Sequence, residues 1–358
     1  MSRTVILGAG IAGHTAALHL RRMVGKEHDV VVVAPNSKWN WIPSNIWVGV
    51  GQMSVKQVTF PLAPIYKRKG IEFHQALATE LHAEGSPALP RPHVMVRCTD
   101  ESRQGLVAPL EYDYLINATG PKLNFGAPPG LGPDGHTWSV CTAGHAAETA
   151  TAFEDVLVRL HAGERQTLLI GMGHGTCTCQ GAAFEYTFNV EHELVKEGVR
   201  DRAEVIYITN ESQLGDFGMD GMNFGHKGDV IPSQMFTESL FQERGVKAIM
   251  SAHVERVEPG IAYYEVVDGT KGAQPFDFAM LLPPFRGADL TAFDAADADI
   301  TSEVFAPSGF MKVDADYSPK PYEEWKASDG PSTYQAVGFD NIWAVGISFA
   351  PPHQMSPP

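Results

Sequence analysis

The sequence predicts an α/β fold, and three observations lead there. Short stretches rich in β-branched residues alternate with longer stretches of helical spacing. A Gly-x-Gly-x-x-Gly turn, Gly8, Gly10 and Gly13, joins the first such strand to the first such helix. A second turn, Gly171-x-Gly173-x-x-Thr176, repeats the pattern after another strand in mid-chain.

Taken in order, residues 4–7 form a strand, Gly8-Ala9-Gly10-Ile11-Ala12-Gly13 a turn, residues 14–24 a helix with Ala17, Leu20 and Met23 on one face, and residues 30–33 a second strand. Gly8 permits the tight turn, Gly10 lets a backbone approach a pyrophosphate, and Gly13 lets the helix pack on the sheet. The helix N-terminus offers its amides to the phosphates. Where an acid usually holds a ribose, the second strand ends Ala34-Pro35-Asn36, so Ala34, Asn36 and backbone groups are the candidates there. Two later segments add to this. Tyr112-Asp113-Tyr114-Leu115-Ile116-Asn117-Ala118-Thr119-Gly120-Pro121 is a strand followed by Ala-Thr-Gly and resembles the segment that in FAD-linked reductases returns the chain to the cofactor, here at Thr119 and Gly120. Phe339-Asp340-Asn341-Ile342-Trp343-Ala344-Val345-Gly346 reads as the closing strand, with Ile347 where an aspartate normally follows Gly346. Together these motifs predict FAD, with Pro43, Ser44, Ala78 and Gly309 as further candidate contacts.

Further strands are expected at 114–118, 167–170, 204–208, Phe278–Leu282 and 342–345, and helices at 146–160 and 181–196. The chain thus reads as two Rossmann-like dinucleotide-binding domains, an FAD/NAD(P)-binding fold. The first spans 1–122 and 300–358; the second spans 136–290 and carries cysteines. Turn-rich stretches at 124–135 and 283–289 are the expected crossings.

The second glycine turn, Gly171-Met172-Gly173-His174-Gly175-Thr176-Cys177-Thr178-Cys179, carries two thiols where an NAD pyrophosphate would lie. A helix N-terminus stabilises a thiolate and makes it nucleophilic, and a thiolate facing a flavin ring can deliver two electrons to it. Cys179 is the stronger candidate. Cys177, two residues away, points elsewhere whether the turn is extended or helical; burial as a small core residue is the competing reading for both. Cys141 and His145 lie in Trp138-Ser139-Val140-Cys141-Thr142-Ala143-Gly144-His145, and Glu185 follows Cys179 by six residues. Grouped with thiols, His145 and Glu185 become candidate proton handlers. Cys98, in a strand expected at the surface over 94–98, is given no chemistry. Cys-x-Cys without a second ligand pair does not predict a metal site.

The net charge of −15 argues against nucleic acid and against broad docking on anionic lipid. Met1-Ser2-Arg3 runs straight into a strand, which leaves no room for a cleavable leader, and no stretch reaches 18 apolar residues.

These residues resemble the sulfide:quinone oxidoreductases, with the flavoprotein of flavocytochrome c sulfide dehydrogenase as a more distant relative. The likeness is carried by Ile42-Pro43-Ser44-Asn45-Ile46-Trp47-Val48-Gly49-Val50-Gly51, Ala118-Thr119-Gly120-Pro121-Lys122-Leu123, Ser139-Val140-Cys141 and Cys179-Gln180-Gly181-Ala182-Ala183-Phe184-Glu185-Tyr186, and more weakly by Pro284-Phe285-Arg286-Gly287. The resemblance implies FAD, sulfide as donor and a quinone as acceptor. It makes Cys179 and Cys141 the redox pair, with His145 and Glu185 handling protons. It also implies peripheral attachment to the cytoplasmic membrane of a prokaryote, through a C-terminal segment that is expected beyond Pro358 and would bring a third cysteine. Asp216 stands where the family carries a histidine, and Cys177 is an extra thiol. The expected chemistry is attack of sulfide on a bridge that includes Cys179, giving a cysteine persulfide and, through the flavin, electrons for a quinone. Two rivals stay open: an NAD(P)H-dependent reductase of the same fold, and a flavoprotein subunit that partners a cytochrome. Assembly into a homo-oligomer is left open as well.

Overall fold

The computed structural model describes residues 1–174, 180–217 and 221–352 of the 358-residue chain. They form an α/β fold in two compact, Rossmann-like units. One comprises Met1–Trp39, Phe60–Lys122 and the described chain from Arg286 to Pro352; the other comprises Asn40–Thr59 and the described part of Leu123–Phe285.

In the first unit an eight-stranded sheet runs Ile342–Ala344, Tyr114–Asn117, Arg3–Leu7, Asp29–Ala34, Glu72–His82, His93–Cys98, Val107–Glu111, with Thr291–Phe293 paired beside Glu72–His82. The first five are parallel and the last two return antiparallel. Asp29–Ala34 reads Asp-Val-Val-Val-Val-Ala with no polar alternation, the pattern of a parallel strand covered on both faces. Val31 and Val33 join Val5 and Leu7 in one core, and Val30 and Val32 join Ile6 in the other. Each such burial contributes about 1.5–3 kcal/mol. The helix Ile11–Met23 starts directly after Gly10, three residues before its apolar spacing becomes legible, because Ile11 is exposed and Gly13 offers no side chain. At its end the Arg21 guanidinium donates to the carbonyls of Val24 and His28 at 3.1 and 2.8 Å, which gives the chain leaving the helix its partners. The strand around Cys98 is not a surface strand: His93–Cys98 has neighbours on both sides, and Val94 and Val96 are buried.

In the second unit four parallel strands run Val246–Ile249, Ala203–Ile208, Gln166–Met172, Phe278–Leu282. The helices Ala143–His161 and Gln180–Lys196 bury one face of each against this sheet. Leu168, Ile170 and Met172 point into that core, and Leu169 points into a second one under the antiparallel strands Ala252–Glu258, Ile261–Val266 and Lys271–Pro275. Asn40–Thr59, which the sequence places inside the first domain, packs here instead: Ile46, Val48 and Val50 join the core of the second unit. Asn40 and Asn45 exchange side-chain amide bonds at 3.0 and 3.1 Å at the start of this excursion. Its helix Asn45–Val48 is a single turn, too short to show a period. Among the described residues no helix is long and apolar enough to cross a membrane.

His14, on the helix that follows the glycine turn, sits among Trp39, Phe60 and Tyr66 with its Nδ1 2.9 Å from the Tyr66 hydroxyl. Burial holds its pKa below the ordinary 6.5, so the folded chain favours the neutral ring. That preference contributes stability that is fully present above pH 6.5 and is lost as pH falls through the folded value. The stability of the wild type should therefore drop more between pH 7 and pH 5 than that of His14→Gln, measured as urea midpoints at each pH; parallel curves would refute this.

Candidate functional site

The first unit carries the glycine cradle. Gly8 has φ +97°, and a Cβ there would run into the carbonyl oxygen of Ala118. A Cβ on Gly13 would run into the carbonyl oxygen of Gly8 and lie 3.2 Å from the Ala118 Cβ. Gly10 is different: nothing lies within 4 Å of its Cβ position, and its φ of −71° suits any residue. Ala9, Ile11 and Ala12 follow the turn into a helix with no side-chain cap and no acid in its first turn. No side chain among the described residues caps its leading amides or offsets the positive end of its dipole, a setting that favours an anion. Gly346, at φ +69°, comes so close to this helix start that a Cβ there would lie 2.7 Å from the Ala12 Cβ. Ile11 and Ile347 are both apolar and exposed, at 44% and 51%.

The remaining candidates in this unit differ in exposure. Ala34 is buried at the end of the second strand and Asn36 beyond it is exposed. Ala78 is buried beside a register shift in its strand. Thr119 and Gly120 are half-buried, and Thr119 donates from its N and Oγ1 to Asn117 Oδ1 at 3.2 and 2.8 Å. Gly309 lies backbone to backbone against Gly287. Closed where side chains would clash and open where Gly10 faces out, the cradle fits a pyrophosphate-bearing group.

The second unit carries the sulfur and imidazole groups. Residues 175–179, which include both Cys177 and Cys179, lie outside the described residues; before them Gly173 closes on Leu131, and after them the helix Gln180–Lys196 begins. Cys141 is half-buried just ahead of the helix Ala143–His161, with its N donating to Ser139 Oγ at 3.2 Å. Thr142 caps that helix by accepting from the His145 N at 3.1 Å. Thr149 Oγ1 lies 2.8 Å from both the Ser139 and the His145 carbonyl oxygens and ties the entry loop to the helix. His145 meets Phe125 edge-on, and its Nδ1 is buried without a hydrogen-bond partner among the described residues. A buried polar nitrogen left unpaired costs about 1–3 kcal/mol.

Glu185 is exposed on the helix Gln180–Lys196. Gly49 brings the two stretches together: a Cβ there would sit 2.8 Å from Val140 and 2.9 Å from Tyr186, and the Tyr186 hydroxyl donates to the Gly49 carbonyl at 3.0 Å. Glu185, next to the buried Tyr186 on that helix, is itself turned to the exposed face, and no contact joins it to Cys141 among the described residues. Pro43 and Ser44 form the single 3-10 turn ahead of Gly49. His174, 6.2 Å from the His253 ring, has its pKa held below 6.5 by burial and then by that neighbour.

No family model matches the chain. A curated relative, the sulfide-quinone reductase of Aquifex aeolicus, is 29% identical over 288 residues, covering 80% of this chain and 60% of its own length. The solved structure of the sulfide:quinone oxidoreductase from the same organism superposes with a TM-score of 0.76 at 26% identity, over 98% of this chain and 69% of that one. The chain is similar in sequence and fold to the sulfide:quinone oxidoreductases. The mitochondrial sulfide:quinone oxidoreductase of Mus musculus is 24% identical over 296 residues, covering 80% of this chain. This chain spans 60% and 57% of the lengths of the two curated relatives.

Sequence reading passed over several residues that build these sites. Asn117 carries a signal, since a side-chain acceptor two residues before Thr119 is an Asx-type turn. Ser139, two residues before Cys141, carries the weaker hydroxyl form of the same signal, and Thr149 and Ser348 carry none, because their partners Ser139 and Gly120 are distant in sequence. The cradle geometry separates its glycines. Gly13→Ala should destabilise the first unit by about 1–3 kcal/mol through overpacking, while Gly10→Ala should stay within about 0.5 kcal/mol of wild type. Denaturant unfolding of the cofactor-free chain tests this, and equal losses would contradict the difference in space around the two positions.

Proposed function

We propose that the chain oxidises sulfide with FAD and passes the electrons to a quinone, through a cysteine persulfide. The similarity to sulfide-quinone reductases over most of the chain supports this reading, and the observation that carries it is the Cys141–His145 arrangement at one helix start. Gly8, Gly10 and Gly13, the helix start at Ile11, Thr119, Gly120 and Gly346 would hold FAD, which when bound supplies a two-electron acceptor that a quinone can reoxidise. The protein does the sulfur chemistry. A hydrosulfide ion attacks a disulfide that includes Cys179; the S–S bond breaks, a new S–S bond forms to the incoming sulfur, and Cys141 leaves as the thiolate. The amides at the start of Ala143–His161 favour that negative charge. His145 Nδ1, buried and unpaired among the described residues, takes the proton that the hydrosulfide brings, and Glu185 passes it to solvent. When the outer sulfur is carried off on a further sulfide ion, Cys179 and Cys141 are left as thiolates, whose two electrons bound FAD would accept as the disulfide re-forms.

Oxygen-free sulfide should bleach the flavin of the loaded protein, and NADH should not. Cys141→Ser and His145→Asn should each slow bleaching about 10²-fold or more in stopped-flow traces at equal flavin occupancy. Rapid bleaching by NADH with no response to sulfide would replace this reading with that of an NADH-dependent reductase.

A further inference from the structure

We infer that Ser348 is a positioning residue for the cofactor, a strap that replaces the carboxylate missing after Gly346. This rests on the FAD reading above. Ser348 is buried, at 2% exposure, and its Oγ accepts a hydrogen bond from the Gly120 N at 2.8 Å across 228 residues of sequence. Its own carbonyl accepts from the Met311 N at 3.0 Å, so its backbone is held independently of its hydroxyl.

The hydroxyl acts through Gly120. That residue ends the Ala-Thr-Gly turn, whose other end is set by Asn117 Oδ1 accepting from the Thr119 N and Oγ1. The turn is in backbone contact with the glycine cradle: Ala118 fills the space that a side chain on Gly8 would need, and its Cβ lies 3.2 Å from where one on Gly13 would begin. Two residues before Ser348, Gly346 abuts the helix start at Ala12. The segment Gly346-Ile347-Ser348 therefore touches both walls of the cradle, the helix start and the Ala-Thr-Gly turn, and Ser348 supplies the polar tie to the second. With Ile347 where an acid is expected, no side chain of this segment can reach a cofactor hydroxyl with a carboxylate. The tie must act by fixing backbone atoms.

The test uses the full chain stripped of flavin and reconstituted with FAD. Ser348→Ala should raise the FAD dissociation constant roughly ten-fold, as expected for one lost hydrogen bond to a partly buried amide, with a faster flavin off-rate and a shifted flavin absorbance band. Ser348→Thr, which keeps the hydroxyl, should restore most of the affinity. The thermal midpoint of the flavin-free Ser348→Ala chain should fall below that of the flavin-free wild type, because the Gly120 amide loses its acceptor, but by less than the midpoint of the loaded form falls. Wild-type affinity and off-rate in Ser348→Ala would overturn the inference, and so would a flavin-free midpoint lowered as far as the loaded one, because the role would then be structural. A wild type that binds no FAD would overturn the cofactor reading itself, so the two failures are separate results.

Discussion

The contact on which the first unit depends is backbone against backbone: the carbonyls of Gly8 and Ala118 occupy the space that side chains at Gly8 and Gly13 would need. Such closeness is available only where the chain carries glycine, and it locks the end of the strand Arg3–Leu7, the start of the helix Ile11–Met23 and the end of the strand Tyr114–Asn117 into one arrangement. An anion site follows from that geometry. Three elements meet at the C-terminal edge of a parallel sheet, the helix start has no side-chain cap among the described residues, and Gly10 keeps the approach to it clear.

The second unit solves a different problem with the same means. Its strand Gln166–Met172 also ends in a glycine turn, yet the turn goes on into Thr176 and thiols instead of a third glycine. Its chemistry-bearing groups are organised by the entry to Ala143–His161. The cap from Thr142, the Cys141–Ser139 bond and the Thr149 ties fix Cys141 and His145 with respect to each other. Gly49 matters for the reason Gly8 does, as a place where the absence of a side chain lets two neighbours close in, here Val140 and Tyr186.

The route of Asn40–Thr59 shows how far domain logic can depart from chain order. Ile46, Val48 and Val50 are apolar and short-ranged, so nothing local says which core they enter. The decision is made by packing. The reciprocal amides of Asn40 and Asn45 and the Tyr186–Gly49 bond then satisfy polar groups that burial would otherwise leave unpaired. The result is that a stretch carrying much of the family resemblance serves the unit that holds the cysteines.

What the sequence determined by itself is the part that repeats with a period or a fixed spacing. The valine run 30–33 was legible as a strand, and the first glycine turn, set between strand and helix, was legible as a dinucleotide-type turn. The helices were legible in their interiors, where apolar spacing persists, and not at their starts, where Ile11 and Thr142 obey capping and exposure instead. Tertiary structure decided everything that depends on partners far apart in the chain. Ser348 meets Gly120, Gly49 meets Tyr186, and the imidazole nitrogen of His145 is left buried and unpaired among the described residues. A hydroxyl or a glycine leaves no periodic trace in sequence; its role is set by the atom it meets, and only folding chooses that atom.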